Sequence, residues 1–216
     1  METMYLPVML DVRGRKCVVI GGGKVAERKT LGLLEAGADV AVISPALTPV
    51  LYELAERSSL MWMNRQYAPG DARGAFLVYA ATGDREVNEA VAREADALGI
   101  PVNVGSHGEA GSFITPGVFR RGRLTVAVST SGSGPGVAAR ITKLLEDTIG
   151  GEYEQYLDFL YEMRREIKRR ETSPEIRKAL LKKLGTLEVL DEIRAGTFME
   201  WGPERIASWI AQNREE

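Results

Sequence analysis

Short β-branched runs alternate with helix-length amphipathic stretches through the first half of the chain. Lys16–Ile20 reads as a buried strand, because its consecutive apolar residues leave neither face for solvent. Asp39–Ile43, Ala75–Ala80 and Ile100–Val104 repeat that pattern, and Leu60–Met63 is a shorter apolar segment. Between them the periodicity predicts helices over Lys24–Ala36, around Pro49–Arg57 and over Asp84–Leu98. Gly37 and Gly99 close the first and third of these. Strands that alternate with helices form βαβ units, which require a parallel sheet with right-handed crossovers. The expectation for residues 1–113 is therefore α/β, a Rossmann-like doubly wound parallel sheet.

The pattern changes after Ser112. Ser112–Thr115 and Leu124–Val128 read as strands separated by the basic turn Arg120–Arg123. The polar loop Ser129–Gly136 then leads into a helix over Val137–Ile149. A short strand pair outside the parallel sheet needs a cover, and exchange between two protomers supplies one. Residues 114–150 are accordingly expected to be a small α+β dimerisation region, and the protein a homodimer. Residues 151–216 read as a helical region. Tyr153, Tyr156, Leu157, Leu160, Met163 and Ile167 make one apolar stripe, and Thr172 with Glu175 gives a capping-box pattern around Pro174. Arg164, Arg165, Lys168, Arg169 and Arg170 alternate with glutamates, which suits a solvated face better than an anion site.

Charge and composition narrow the function. The net charge of −2 argues against bulk attraction to nucleic acid. No apolar run approaches membrane-spanning length, and the N-terminal residues lack a basic, apolar leader pattern. A single cysteine, Cys17, excludes an internal disulfide and fits a cytoplasmic protein. With one cysteine and one histidine, no ordinary zinc constellation is available, and no resident metal is expected.

The candidate chemistry sits at strand ends. Gly21, Gly23 and Ala26 follow the first strand and open a helix, matching the G-x-G-x-x-G/A dinucleotide fingerprint in its required setting. Gly21 permits the turn, Gly23 lets the backbone approach a pyrophosphate, and Ala26 lets helix and strand pack closely. The helix N-terminus favours the anion. Ser44, at the end of the second strand, stands where an acidic residue commonly binds the ribose. It serves either a ribose hydroxyl or only the turn with Pro45, and no arginine follows for a 2′-phosphate, which favours NAD. Thr82 and Gly83 lie at the same sheet edge, and Asp84 reads as a helix cap. The candidate cofactor contacts are Gly21, Gly22, Gly23, Lys24, Val25, Ala26, Ser44, Pro45, Ala46, Thr82, Gly83 and Val104. His107, the only histidine, leaves a strand at this edge and is either solvated or in the active site. Arg120, Arg121 and Arg123 are available to an acidic substrate or are simply a basic turn. The loop Ser129–Gly136 has an anion nest's composition but no P-loop lysine.

Several segments stand together in an order that resembles one family. They are Leu6–Leu10, Val19–Lys29 (VIGGGKVAERK), Glu35–Ala38, Ala80–Thr82 with Val87-Asn88, Ser112–Pro116 (SFITP) and Val126–Ser129. Over at least residues 5–145 the chain resembles the precorrin-2 dehydrogenases, the N-terminal module of sirohaem synthase. The resemblance implies NAD-dependent oxidation of precorrin-2 to sirohydrochlorin in sirohaem biosynthesis, by a homodimer with an interwoven central region. It also implies a stand-alone enzyme, since 216 residues leave no room for the fused methyltransferase. Family members that also insert ferrous iron carry an aspartate where this chain has Ser106. A serine is a poor base unless activated, which disfavours chelation here. Ser106 and His107 are the candidate catalytic residues, with His107 placed to take the proton released alongside the hydride. Thr130 stands where some sirohaem synthases carry a phosphorylated serine. Two other readings remain: a bifunctional dehydrogenase–ferrochelatase, and a redox sensor that binds NAD without turnover.

Overall fold

In the computed structural model, which describes residues 5–105, 110–132 and 134–214, β1 (Lys16–Ile20) is the central strand of a five-stranded parallel sheet. Its neighbours are β2 (Asp39–Ile43) and β4 (Leu77–Ala80), with Val18 aligned to both Ala41 and Val78. β3 (Met61–Met63) continues the sheet past β2, and β5 (Val102–Val104) past β4, so the order is β3-β2-β1-β4-β5. Successive side chains of a strand point to opposite faces, and both faces here are covered. Val18, Ile20, Ala41, Ile43, Val78 and Ala80 build one core with Val91, Ala92 and Ala95 of α3 (Arg85–Ala97). Cys17, Val19, Val40, Val42, Leu77 and Tyr79 build the other with α1 (Lys24–Glu35) and α2 (Pro49–Glu56).

The glycines set the helix ends. Gly37 adopts φ +80°, which lets its N–H bond Leu34 O (2.9 Å) while Ala38 N–H reaches back to Leu33 O (3.0 Å). Ile100 and Gly99 close α3 in the same way on Ala95 and Asp96. Both are Schellman terminations, in which a left-handed residue satisfies carbonyls the helix leaves open.

Some expectations change. Ser112–Thr115 forms no strand, because Ser112 and Phe113 N–H both converge on Val102 O (2.8 and 3.3 Å) and side chains complete the contact. Ser112 Oγ accepts from Val102 N–H (2.9 Å), and Asn103 Nδ2 donates to Phe113 O (2.9 Å). The strand that pairs with β7 (Leu124–Val128) is instead β6 (Gly117–Arg121), antiparallel across a turn at Gly122 and Arg123. Arg120 and Arg121 therefore lie in a strand. The cap before Pro174 is Ser173 rather than Thr172, its Oγ accepting from Ile176 N–H (3.4 Å). Proline at the first helical position holds the residue before it extended, which makes that residue the cap.

The chain divides into two compact units, Met1–Thr115 and Pro116–Glu216. In the second, α4 (Pro135–Thr148) packs on the β6–β7 hairpin. The helices α5 (Glu152–Arg170), α6 (Pro174–Leu184), α7 (Val189–Arg194) and α8 (Pro203–Gln212) gather around Phe159, Met163, Ile167, Leu180, Leu184 and Ile210. Among the described residues of the hairpin and α4, only Phe119 is buried, while Val118, Ile141 and Leu144 are exposed. Along α5, Arg165 pairs with Glu162, and Arg169 and Arg170 converge on Glu166, holding its carboxyl down at about 2. That arrangement is the solvated face. No described helix is long and apolar enough to cross a membrane.

Candidate dinucleotide site

The chain leaves β1, fills the β2–β3 side of the sheet, then returns to build β4 and β5 on the other side. This reversal puts a crevice at the carboxyl ends of β1, β2 and β4, where open α/β sheets bind ligands. A cleft of about 580 Å³ occupies that place, within the size range of cofactor pockets. Its walls come from the three strand ends and from the loop after β3.

Gly21 turns the chain at φ +120°, its N–H bonded to Ile43 O (2.9 Å). A Cβ there would strike the Ala81 carbonyl. Gly22 is equally constrained, since a Cβ would run into the Ala46 carbonyl and come within 2.8 Å of Ser44 Oγ. Its own carbonyl accepts Thr48 N–H (2.9 Å), so the glycine turn and the loop after β2 are locked together. Gly23 differs: a Cβ there would meet nothing within 4 Å. It lines the cleft and precedes α1 without any side-chain cap, leaving the first-turn N–H groups and the helix's positive end beside the opening.

On the opposite wall, Asn88 organises the turn after β4. Its Oδ1 accepts from Thr82 N–H (3.1 Å) and Thr82 Oγ1 (2.9 Å), and its Nδ2 donates to Thr82 O (3.0 Å). Asp84 caps α3 through Glu86 and Val87 N–H. Ser44 Oγ donates to Ala46 O (2.7 Å), so its proton is spent on its own turn.

The structure brings Gly21, Gly22, Gly23, Ser44, Pro45, Ala46, Thr82 and Gly83 to one cleft. Four other candidates do not line it. Lys24 pairs with Glu27 (3.0 Å), Val25 is exposed on α1, Ala26 is buried against the sheet, and Val104 lies in the β5 core. Ser106 and His107 lie outside the described residues. Thr130 Oγ1 faces Gly134 O (3.5 Å).

Sequence reasoning missed Gln66 and Tyr67, and gave Asn88 no role beyond its place in the family resemblance. Gln66 and Tyr67 enter from the loop after β3, where no periodicity signals a site. Asn88 did leave a signal, a buried polar residue on an otherwise apolar helix face. Tyr67 packs against the sheet and donates its hydroxyl proton to Glu94. Burial and that carboxylate push its own ionisation well above the usual tyrosine range.

Comparison with known proteins agrees with this geometry. The family of putative NAD(P)-binding domains matches residues 8–117, and the SirC C-terminal domain family matches residues 153–191. The siroheme synthase of Chromobacterium violaceum is 42% identical over 166 residues, covering 77% of this chain and 35% of that protein. The siroheme synthase of Methylobacillus flagellatus is 41% identical over 170 residues, covering 79% and 36%. The chain thus spans about a third of the length of these curated relatives. A solved structure, the SirC precorrin-2 dehydrogenase, superposes with a TM-score of 0.74 at 29% identity, covering 99% of this chain and 100% of that one.

Glycine turn, switch-point cleft and matching family model together define a Rossmann protein of the NAD(P)-binding class. The likeness goes further, since siroheme synthases match over 77% and 79% of the chain and the SirC C-terminal domain family matches residues 153–191. The chain belongs to the precorrin-2 dehydrogenase family.

Proposed function

We propose that this protein oxidises precorrin-2 to sirohydrochlorin with NAD as the acceptor. The observation that carries the reading is the switch-point cleft with its glycine turn, on a chain alike over its whole length to a precorrin-2 dehydrogenase. The residues present fit a dinucleotide. Gly23 leaves room where a pyrophosphate would approach, and the uncapped start of α1 offers N–H groups to it. The cofactor, when bound, supplies the chemistry by accepting a hydride; the protein orients it and removes the accompanying proton. NAD is favoured over NADP because, among the described residues, no lysine or arginine lines the cleft to neutralise a 2′-phosphate. We assign the proton to His107, with Ser106 beside it. His107→Ala with unchanged turnover would overturn that role.

The active form is a homodimer. The β6–β7 hairpin and α4 expose Val118, Ile141 and Leu144 and bury little of their own, which supports a covering partner copy.

The test is an anaerobic reaction of the purified protein with precorrin-2 and NAD, following NADH and sirohydrochlorin absorbance together. Equal growth of both is expected. NAD binding without turnover would overturn the enzyme reading in favour of a sensor.

A further inference from the structure

Among the described residues, six polar side chains line the cleft: Ser44, Thr48, Gln66, Tyr67, Thr82 and Asp84. Five are already engaged within the fold. Ser44 Oγ donates to Ala46 O, Thr48 Oγ1 accepts from Leu51 N–H, and Tyr67 donates to Glu94. Thr82 is bonded to Asn88, and Asp84 caps α3. Gln66 is the exception among the described residues. Its backbone carbonyl accepts from Arg65 (3.0 Å), while its side-chain amide has no partner. A planar amide carries a donor and an acceptor side by side, which lets it meet a nucleobase edge with two bonds.

The loop that carries Gln66 is held firmly. Glu94 of α3 accepts from Gly70 N–H (2.8 Å) and Ala72 N–H (3.3 Å) as well as from Tyr67. Arg65 and Asp71 make a two-pronged ion pair at 2.7 Å for each bond, and Asp71 also accepts from Ala68 N–H (2.8 Å). The loop fixes the Gln66 backbone at the cleft, and its exposed side chain, unpartnered within the described residues, is available to a ligand.

Its place in the sheet points to one part of the ligand. With the pyrophosphate at the start of α1 and the first ribose at the end of β2, the nucleotide runs outward along β1-β2-β3. The next group it meets is the loop after β3, reached past the apolar Pro45, Ala46 and Leu47. We infer that Gln66 is the adenine-reading residue of this cleft, its side-chain amide pairing with the exocyclic amine and an adjacent ring nitrogen of the base. Glutamine makes that two-bond contact with adenine edges elsewhere. The inference rests on the dinucleotide reading of the cleft and adds the residue that selects the base.

The experiment compares NAD with 1,N6-etheno-NAD, whose bridged adenine has no exocyclic N–H and a blocked N1. Both are titrated into the full-length protein and into Gln66→Ala. The wild-type protein is expected to bind NAD more tightly than the etheno compound. Gln66→Ala is expected to lose about tenfold in NAD affinity and distinctly less in affinity for the etheno compound, which keeps at most one of the two bonds. Equal losses for both ligands, or no loss for either, would overturn the base-reading role while leaving the dinucleotide site standing. Failure of the wild-type protein to bind either ligand would instead remove the dinucleotide reading itself, and with it this one.

Discussion

Alanine at Gly22 or at Gly23 adds one methyl group, with opposite expected effects. At Gly22 the methyl would enter the Ala46 carbonyl, forcing the glycine turn and the β2 loop apart. Gly22→Ala is expected to lose about 1–3 kcal/mol in denaturant unfolding. At Gly23 the methyl enters open cleft and the backbone stays at an ordinary φ of −84°, so Gly23→Ala should unfold within about 0.5 kcal/mol of the parent. Its NAD affinity should nonetheless fall by about tenfold or more, because the methyl stands where the pyrophosphate approaches. Lys29 offers a separate test. Its ammonium lies 5.1 Å from the centre of the Tyr79 ring, with no carboxylate partner among the described residues. Burial, with Arg28 adding, pushes it down to about 8 from 10.5. Below that value folded and unfolded chains both hold the proton, and the burial cost is felt in full. As pH climbs from about 8 to 10.5 the unfolded chain binds more protons than the folded one, so stability rises. Lys29→Met should therefore be more stable at pH 7 by about 1–2 kcal/mol, a figure reduced for partial solvent exposure. Melting curves across pH should show that gap closing through the same window; a constant gap would refute the assignment.

At the scale of elements, hydrogen-bonded turns set the site. Asn88→Ala removes three bonds to Thr82 and frees the wall after β4. The expected result is a loss of about 1–3 kcal/mol in stability together with weaker NAD binding, read by unfolding and titration of the same variant. The strands and helices of the sheet unit were legible in the sequence because each buried strand is a short, mostly apolar run and each helix ends at a glycine or starts at a cap. The glycine turn was legible for the same local reason. The segment after β5 was not legible. Ser112–Thr115 reads as a strand, yet Ser112 and Phe113 N–H converge on the one carbonyl of Val102 and the Ser112 and Asn103 side chains complete the contact, which no periodicity encodes. The Gln66 and Tyr67 wall was hidden because its position depends on Glu94, 22 or more residues further along the chain from the loop amides and hydroxyl it holds. Long-range bonds of that kind leave no spacing to read.

For the whole molecule, a dimer is expected to sediment at twice the mass of one chain. Leu144→Asp, on the exposed face of α4, should shift the protein toward the monomer in ultracentrifugation. The two compact units invite separate measurement, and the chain holds a reporter for one of them. Cys17, its only cysteine, has no exposed surface in the central strand, and burial pushes its thiol up to about 11. A thiol reagent near neutral pH can label it only when the sheet opens. Labelling rate therefore acts as a stopwatch on that unit alone. A dinucleotide that binds the closed sheet should slow it in proportion to one plus the ratio of free ligand to dissociation constant, by about a hundredfold at one hundred times that constant. Affinity for a cofactor then becomes readable as elapsed time, from unlabelled ligand and an unmodified chain.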